Sequence, residues 1–159
     1  MKKLNNHRGQ SIVEISLITP LLMMALYIPT DFGITLFTAH LTQNAVREAA
    51  RIGVSSKDPF DNAAADSVGD EALSRMPALL GSATATVRYY AGGSANCSQY
   101  VEVAGKGTYN FFLYQLMRLG GFTVPDTIQI DRSTTMRYEF QRITNDTPCT
   151  AVTLTRTRS

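Results

Sequence analysis

Arg8-Gly9-Gln10-Ser11-Ile12-Val13-Glu14 opens the stretch that decides how this chain is organised. Ahead of it stand Lys2, Lys3 and His7, so the first nine residues form a short basic leader. Behind it, no side chain from Ile15 to Thr30 carries a charge, and the next ionisable group is Asp31. The run is apolar nearly all round, as a helix embedded in lipid must be. Glu14 lies at its start. A carboxylate inside a membrane segment costs a few kcal/mol on insertion scales, so its presence marks a functional position. The leader cations place the N-terminus in the cytoplasm by the positive-inside rule, which sends the rest of the chain across the membrane.

Two ordinary explanations compete with a functional one. A secretory signal has an apolar core of about 7–15 residues followed by small residues at a cleavage site. Here the apolar run is longer, and no Ala-x-Ala pattern follows it. An uncleaved signal-anchor accounts for the run and the leader charges but gives no reason for Glu14. Pro20 and Pro29 lie in the helical pattern and remove two amide donors, so a bend is expected at each; membrane helices tolerate this. Past Pro29, residues Ile34, Phe37, Leu41, Ala45, Ala49 and Ile52 recur at spacings of three and four, predicting one apolar stripe. Arg47, Glu48 and Arg51 fall off it, and Gly53 is placed to cap the C-terminus. A helix from Gln10 to Ile52 would run roughly 65 Å at 1.5 Å per residue. A hydrocarbon core of about 30 Å holds only its first half. The second half must stand in water with its stripe covered.

The chain from Val54 onward, about 100 residues, suffices for one small domain with a modest core. Asp58-Pro59 reads as a helix start, and Pro77 argues for an end near Arg75 or Met76. Ala63, Ala64, Val68, Ala72, Leu73, Met76 and Leu80 supply the apolar face of that helix, weakened by Gly69. Asp61, Asp66, Asp70 and Glu71 read as its solvated face, without ion-loop spacing. Strands follow. Ala83 to Tyr90 alternates, Ala91-Gly92-Gly93-Ser94 is a turn, and Tyr100 to Tyr109 forms a second strand loosened by Gly105 and Gly107. Asn110 to Leu119 predicts a short helix ended by Gly120-Gly121, with Phe112, Leu116 and Leu119 aligned. Thr127 to Gln141 is the longest strand. Arg132 breaks its parity, which predicts a bulge between Asp131 and Ser133. Thr150 to Thr155 adds an edge strand, leaving Arg156 and Arg158 as a solvated tail. Strands in succession after helices imply an α+β fold, a small antiparallel sheet packed on the long helix.

Composition narrows the chemistry. The formal charge is +2. Without the leader, 12 basic side chains face 13 acidic ones, so no basic surface remains for nucleic acid. The two cysteines, Cys97 and Cys149, both lie beyond the apolar run. That low, even count fits one disulfide in an oxidising compartment, the alternative being two buried thiols. His7 belongs to the leader and His40 has no metal-spaced companion, so no metal site, cofactor site or catalytic triad is expected. A hydrolase would have to use His40, and nothing flags it. Gly105-x-Gly107 lacks the spacing of a phosphate loop.

The leader, the glycine and the glutamate five residues later resemble the processing site of type IV prepilins. Gln43-Asn44-Ala45-Val46-Arg47-Glu48-Ala49-Ala50-Arg51-Ile52-Gly53, following such a helix, resembles the end of the main block of TadE-like pseudopilins of the tight-adherence (Flp) pilus system. Met136-Arg137-Tyr138-Glu139 resembles the late Met-Arg-x-Glu of that pattern. The resemblance implies a non-enzymatic minor pilin with three parts: leader 1–9, long helix 10–53 and a periplasmic head 54–159. It implies cleavage between Gly9 and Gln10 by a prepilin peptidase, and a role for Glu14 in assembly. The implied partners are that peptidase, the Flp-type major pilin, other minor pilins, the inner-membrane assembly platform and membrane lipid. An uncleaved membrane-anchored periplasmic interaction protein is the alternative.

Overall fold

The computed structural model describes residues 7–55, 62–90, 100–112, 114–119, 121, 123–137 and 152–158. Seven elements occur in the order α1 (His7–Ser55), α2 (Asn62–Arg75), β1 (Leu80–Tyr90), β2 (Tyr100–Asn110), α3 (Tyr114–Leu119), β3 (Thr127–Arg137) and β4 (Val152–Arg158). The fold is α+β, a long apolar N-terminal helix with a small antiparallel sheet against it. α1 is 49 residues long and continues through Pro20 and Pro29. Two compact units are present. One comprises Met1–Ile34 with Phe111–Asp126, the other Thr35–Asn110 with Thr127–Ser159.

In the second unit the strands lie in the order β3-β2-β1-β4, every neighbouring pair antiparallel. Alternation sets the faces. Ala83, Ala85, Val87 and Tyr89 of β1, and Val101, Val103 and Tyr109 of β2, are buried on one side. The opposite side carries Thr84, Thr86, Glu102, Lys106 and Thr108, none of them buried. Ion pairs there, Arg88–Glu102 at 3.6 Å and Lys106–Asp131 at 2.9 Å, join neighbouring strands. Being exposed, they are worth about 0–1 kcal/mol each. A sheet with one dry and one wet face is the expected outcome of this period-two pattern.

The dry face is covered by α2 and the second half of α1, and the approach is close. A Cβ added at Gly105 would come within 2.8 Å of Val46 Cγ1 and also collide with Met76 Cε. One at Gly107 would meet Leu80 Cδ1 at 2.7 Å. The two glycines therefore do not loosen β2, which is paired without a break to β3 along its length. They let helix side chains reach the sheet backbone. The matching surface of α1 is made of small residues: Thr38, Thr42, Ala45, Val46, Ala49 and Ala50 are buried. Thr42 Oγ1 donates to Thr38 O at 2.9 Å, so its hydroxyl needs no outside partner.

This corrects the expected stripe. Phe37 is 59% exposed and Ile52 36%, and only Ala45 and Ala49 of the predicted set are buried. The buried face runs one position later at several points, through Thr38, Thr42 and Gly53, a rotation of about 100°. Large apolar side chains cannot enter a gap this narrow, so volume overrides hydropathy. Gly53 is not a cap, since α1 continues to Ser55. It is buried, and a Cβ there would lie 3.1 Å from Val101 Cγ1.

Other expectations also change. The bulge between Asp131 and Ser133 is absent: Lys106↔Asp131, Gly105↔Arg132 and Ala104↔Ser133 pair in sequence. Arg132 stays on the core-facing parity because it sits on an edge strand opposite a glycine, where its head reaches water. The one register shift in the β1–β2 pairing falls between Leu80 and Ser82. Asn110 belongs to β2 rather than to the short helix, which starts at Tyr114. The solvated tail proves to be the second half of β4, paired to β1 from Ala83↔Arg158 to Tyr89↔Val152. Arg156 Nη2 lies 2.7 Å from Asp66 Oδ1, with Asp70 at 3.7 Å from Nε. Arg158 donates to Leu73 O at 2.9 Å and Pro77 O at 3.0 Å, satisfying carbonyls at the end of α2. Asp66 and Asp70 thus hold the edge strand rather than merely facing water. Gly69 makes room for Arg156, whose Cγ would be 3.1 Å from an added Cβ. Thr134 on β3 receives a hydrogen bond from Gln43 Nε2 at 2.9 Å, which ties that edge to α1. The helix start at Asp58-Pro59, the Tyr138-Glu139 half of the late motif, and Cys97 with Cys149 lie outside the described residues.

Replacing Gly105 by Val tests the close approach. The unfolding free energy of the detergent-solubilised full chain should fall by about 1–3 kcal/mol, the usual cost of overpacking. Urea denaturation followed by circular dichroism measures it, and an unchanged midpoint would show that the helix yields freely.

Candidate functional site

The first half of α1 is the only described helix long and apolar enough to cross a membrane, with a mean hydropathy of 1.9 in its most apolar window. Ile12, Val13, Leu17, Leu21, Leu22 and Leu26 are all more than half exposed, and none of that window is buried inside the protein. Exposure on every side is unstable in water and natural in lipid. The hydroxyls of Ser16, Thr19 and Thr30 within the run are satisfied by the helix itself. Ser16 Oγ donates to Ile12 O at 2.8 Å, Thr19 to Ile15 O at 2.7 Å and Thr30 to Leu26 O at 2.7 Å. These three hydroxyls therefore need no outside partner.

α1 already includes Gly9 and Gln10. Glu14 is exposed, one turn past Gln10 in the same helix and about 6 Å along the axis. Cys97 and Cys149 lie outside the described residues. His40 is exposed on α1. Among the described residues no three His, Cys, Asp or Glu side chains gather as a metal site would require. A shallow depression beside α1 is lined by Arg47, Glu48, Arg51, Arg75 and Met136, among others. Its charges are largely matched: Arg51 pairs with Glu48 at 3.4 Å, and Arg75 with Glu71. The hydrogen bond and charge of Glu71 hold the Arg75 guanidinium above its ordinary range.

Sequence reasoning missed a second feature of the first unit. Asp31, the first charge after the apolar run, is completely buried. Its Oδ2 accepts a hydrogen bond from the backbone N–H of Tyr114, 2.9 Å away, at the first residue of α3. A carboxylate there satisfies one of the orphan donors that open every helix. Phe111 is buried, its ring 4.9 Å from that of Tyr114. The segment is closed at its neck by Phe111 N–H to Asp126 O at 3.0 Å and by Arg118–Asp126 at 2.7 Å. Gly121, at φ +82°, ends α3 with its N–H on Arg118 O; only glycine takes that conformation without strain. The signal in the sequence was Asp31 itself, a carboxylate at the end of the charge-free apolar run.

Residues 9–51 match the model of a family described as TadE-like protein. The match takes in Gly9, Glu14, the apolar half of α1 and most of the small-residue face beneath the sheet. No curated protein and no solved structure matches the chain.

Asp31→Ala should leave α1 intact and loosen α3 by about 0.5–2 kcal/mol, the range for losing a cap. Hydrogen exchange should show faster labelling across 114–119, with the strands of the sheet unchanged.

Proposed function

We propose, from the match of residues 9–51 to the TadE-like family, that this chain is a minor pilin or pseudopilin of a tight-adherence pilus. The family is one of structural, pilus-associated proteins, and the single apolar N-terminal helix is compatible with a single-pass anchor. The observation that carries the reading is that the matched span contains, in one exposed apolar helix, both Gly9 and Glu14. A plain membrane anchor needs neither.

In this reading a prepilin peptidase cuts between Gly9 and Gln10 on the cytoplasmic side. The cut creates a cation, the α-amine of Gln10, at the new helix start. Glu14 lies one turn away, and in a medium of low dielectric opposite charges at that separation attract strongly. Pairing between that amine and Glu14, within one subunit or between neighbours, offsets the insertion cost that the carboxylate carries. Uncut protein presents no amine at that depth, so processing gates assembly. The exposed apolar surface of α1 continues past the charge-free run through Phe32, Leu36 and Phe37, which supports packing against other helices in a fibre or platform. The partners are then the Flp-type major pilin, other minor pilins and the inner-membrane assembly machinery, with the head on the periplasmic side.

Two substitutions test separate steps. Gly9→Val should abolish the shorter mature band while the full-length band persists, because the peptidase subsite must accept a branched side chain where glycine had none. Cleavage at the wild-type rate would sink the prepilin reading. Glu14→Gln keeps the shape and removes the charge. In a strain whose protein is shown to be cut and stable, it should abolish pili and surface adherence; normal pili would reduce Glu14 to part of the peptidase site.

A further inference from the structure

We infer that the excursion Phe111–Asp126 is a membrane-contact foot, seated in the interfacial layer of the leaflet from which α1 emerges, with Phe112 entering the lipid. The inference rests on the reading of α1 as a membrane span.

Three observations point to lipid as the occupant. First, the excursion belongs to the same compact unit as the first half of α1, and not to the unit that contains the strands it connects. Second, its attachment point is at the depth where the span ends. From Ser11 to Asp31 the helix rises about 30 Å, the thickness of a hydrocarbon core. Asp31 is the residue that holds Tyr114 N–H at 2.9 Å. Third, the excursion presents apolar surface outward at that level. Phe112 is 76% exposed, the most exposed large hydrophobic side chain among the described residues. Its neighbour Phe111 is buried, so the chain has separated two adjacent aromatics into one that anchors the foot and one that leaves it.

The sequence of the segment agrees. Phe111-Phe112-Leu113-Tyr114-Gln115-Leu116-Met117-Arg118-Leu119 holds one charge, Arg118, and that charge is paired to Asp126 at 2.7 Å. Aromatic residues gather where acyl chains meet headgroups, because one end of the ring system can be dry and the other wet. A short apolar helix with its charge at one end lies naturally in that layer. A protein partner would also cover Phe112. The continuity of this surface with a helix exposed on every side favours the bilayer that the helix itself requires.

The chain contains no tryptophan, so a single introduced one reports its own surroundings. The full-length protein carrying Phe112→Trp is reconstituted into vesicles of phosphatidylethanolamine and phosphatidylglycerol. Some of the lipids are brominated at either shallow or deep acyl positions. Leu21→Trp, mid-span, and Leu79→Trp, exposed in the other unit, provide the references. Phe112→Trp should emit to the blue of Leu79→Trp and be quenched more by shallow than by deep bromines. Iodide should quench it about five-fold less than Leu79→Trp, as befits an interfacial side chain. Gln115→Trp, also exposed on α3, should give the same depth profile and serves if the first variant expresses poorly. If Leu21→Trp is quenched by deep bromines while the α3 reporters behave like Leu79→Trp, the foot is overturned and the span stands. Blue-shifted emission untouched by bromines would assign the surface to a protein and also overturn it. Failure of bromines to quench Leu21→Trp would overturn the span and the foot together.

Discussion

The second unit depends on how closely α1 can approach β2. Gly105 has no side chain, and Val46, Thr42 and Met76 occupy the space one would need. That single absence sets the helix-to-sheet distance, and the distance selects everything facing it. The face of α1 must be small, hence its threonines, alanines and Gly53. The hydroxyls that come with threonine must close on the helix itself, as Thr42 does on Thr38. Bulky apolar residues of α1 are left pointing elsewhere, which is why Phe37 is exposed in a chain that elsewhere buries its core.

That constraint also separates what could be read in the sequence from what could not. The long helix, the four strands and their alternating faces followed from periodicity and turn residues, because those signals are local. The end of α2 near Arg75 followed from Pro77. The buried face of α1 did not follow, because Phe37 and Ile52 outweigh Thr38 and Gly53 on any hydropathy scale. Only the partner surface shows that volume matters more. Arg132 looked like a fault in a strand because parity alone cannot tell an edge from a centre. Arg156 and Arg158 looked like a tail because their partners, Asp66, Asp70 and the carbonyls of Leu73 and Pro77, are far away in sequence.

The candidate site divides in the same way. The roles proposed for Gly9, Gln10 and Glu14 rest on local signals alone: a leader, a small residue and a charge where a charge is costly. Asp31 was visible as the end of the charge-free run, yet its partner was not, since Tyr114 is 83 residues on. A buried carboxylate at the edge of a span is easily taken for a mere stop signal. Its oxygen instead receives an amide from a segment that the chain sends back from between two strands.

The placement of β4 has a consequence in time. β1 needs it as a neighbour, yet the two are far apart in the chain; Thr86 and Thr155 face each other across 69 residues. While the polypeptide is still emerging, β1 and β2 can pair across their short connection, and β3 can join soon after. One flank of β1, from Ala83 to Tyr89, then waits with its amides and carbonyls open until the final strand arrives. An open flank of that length is a template for any extended chain nearby. Arrival of the final strand closes that flank and moves the sheet's edge outward to β4, whose arginines Arg156 and Arg158 are held by α2.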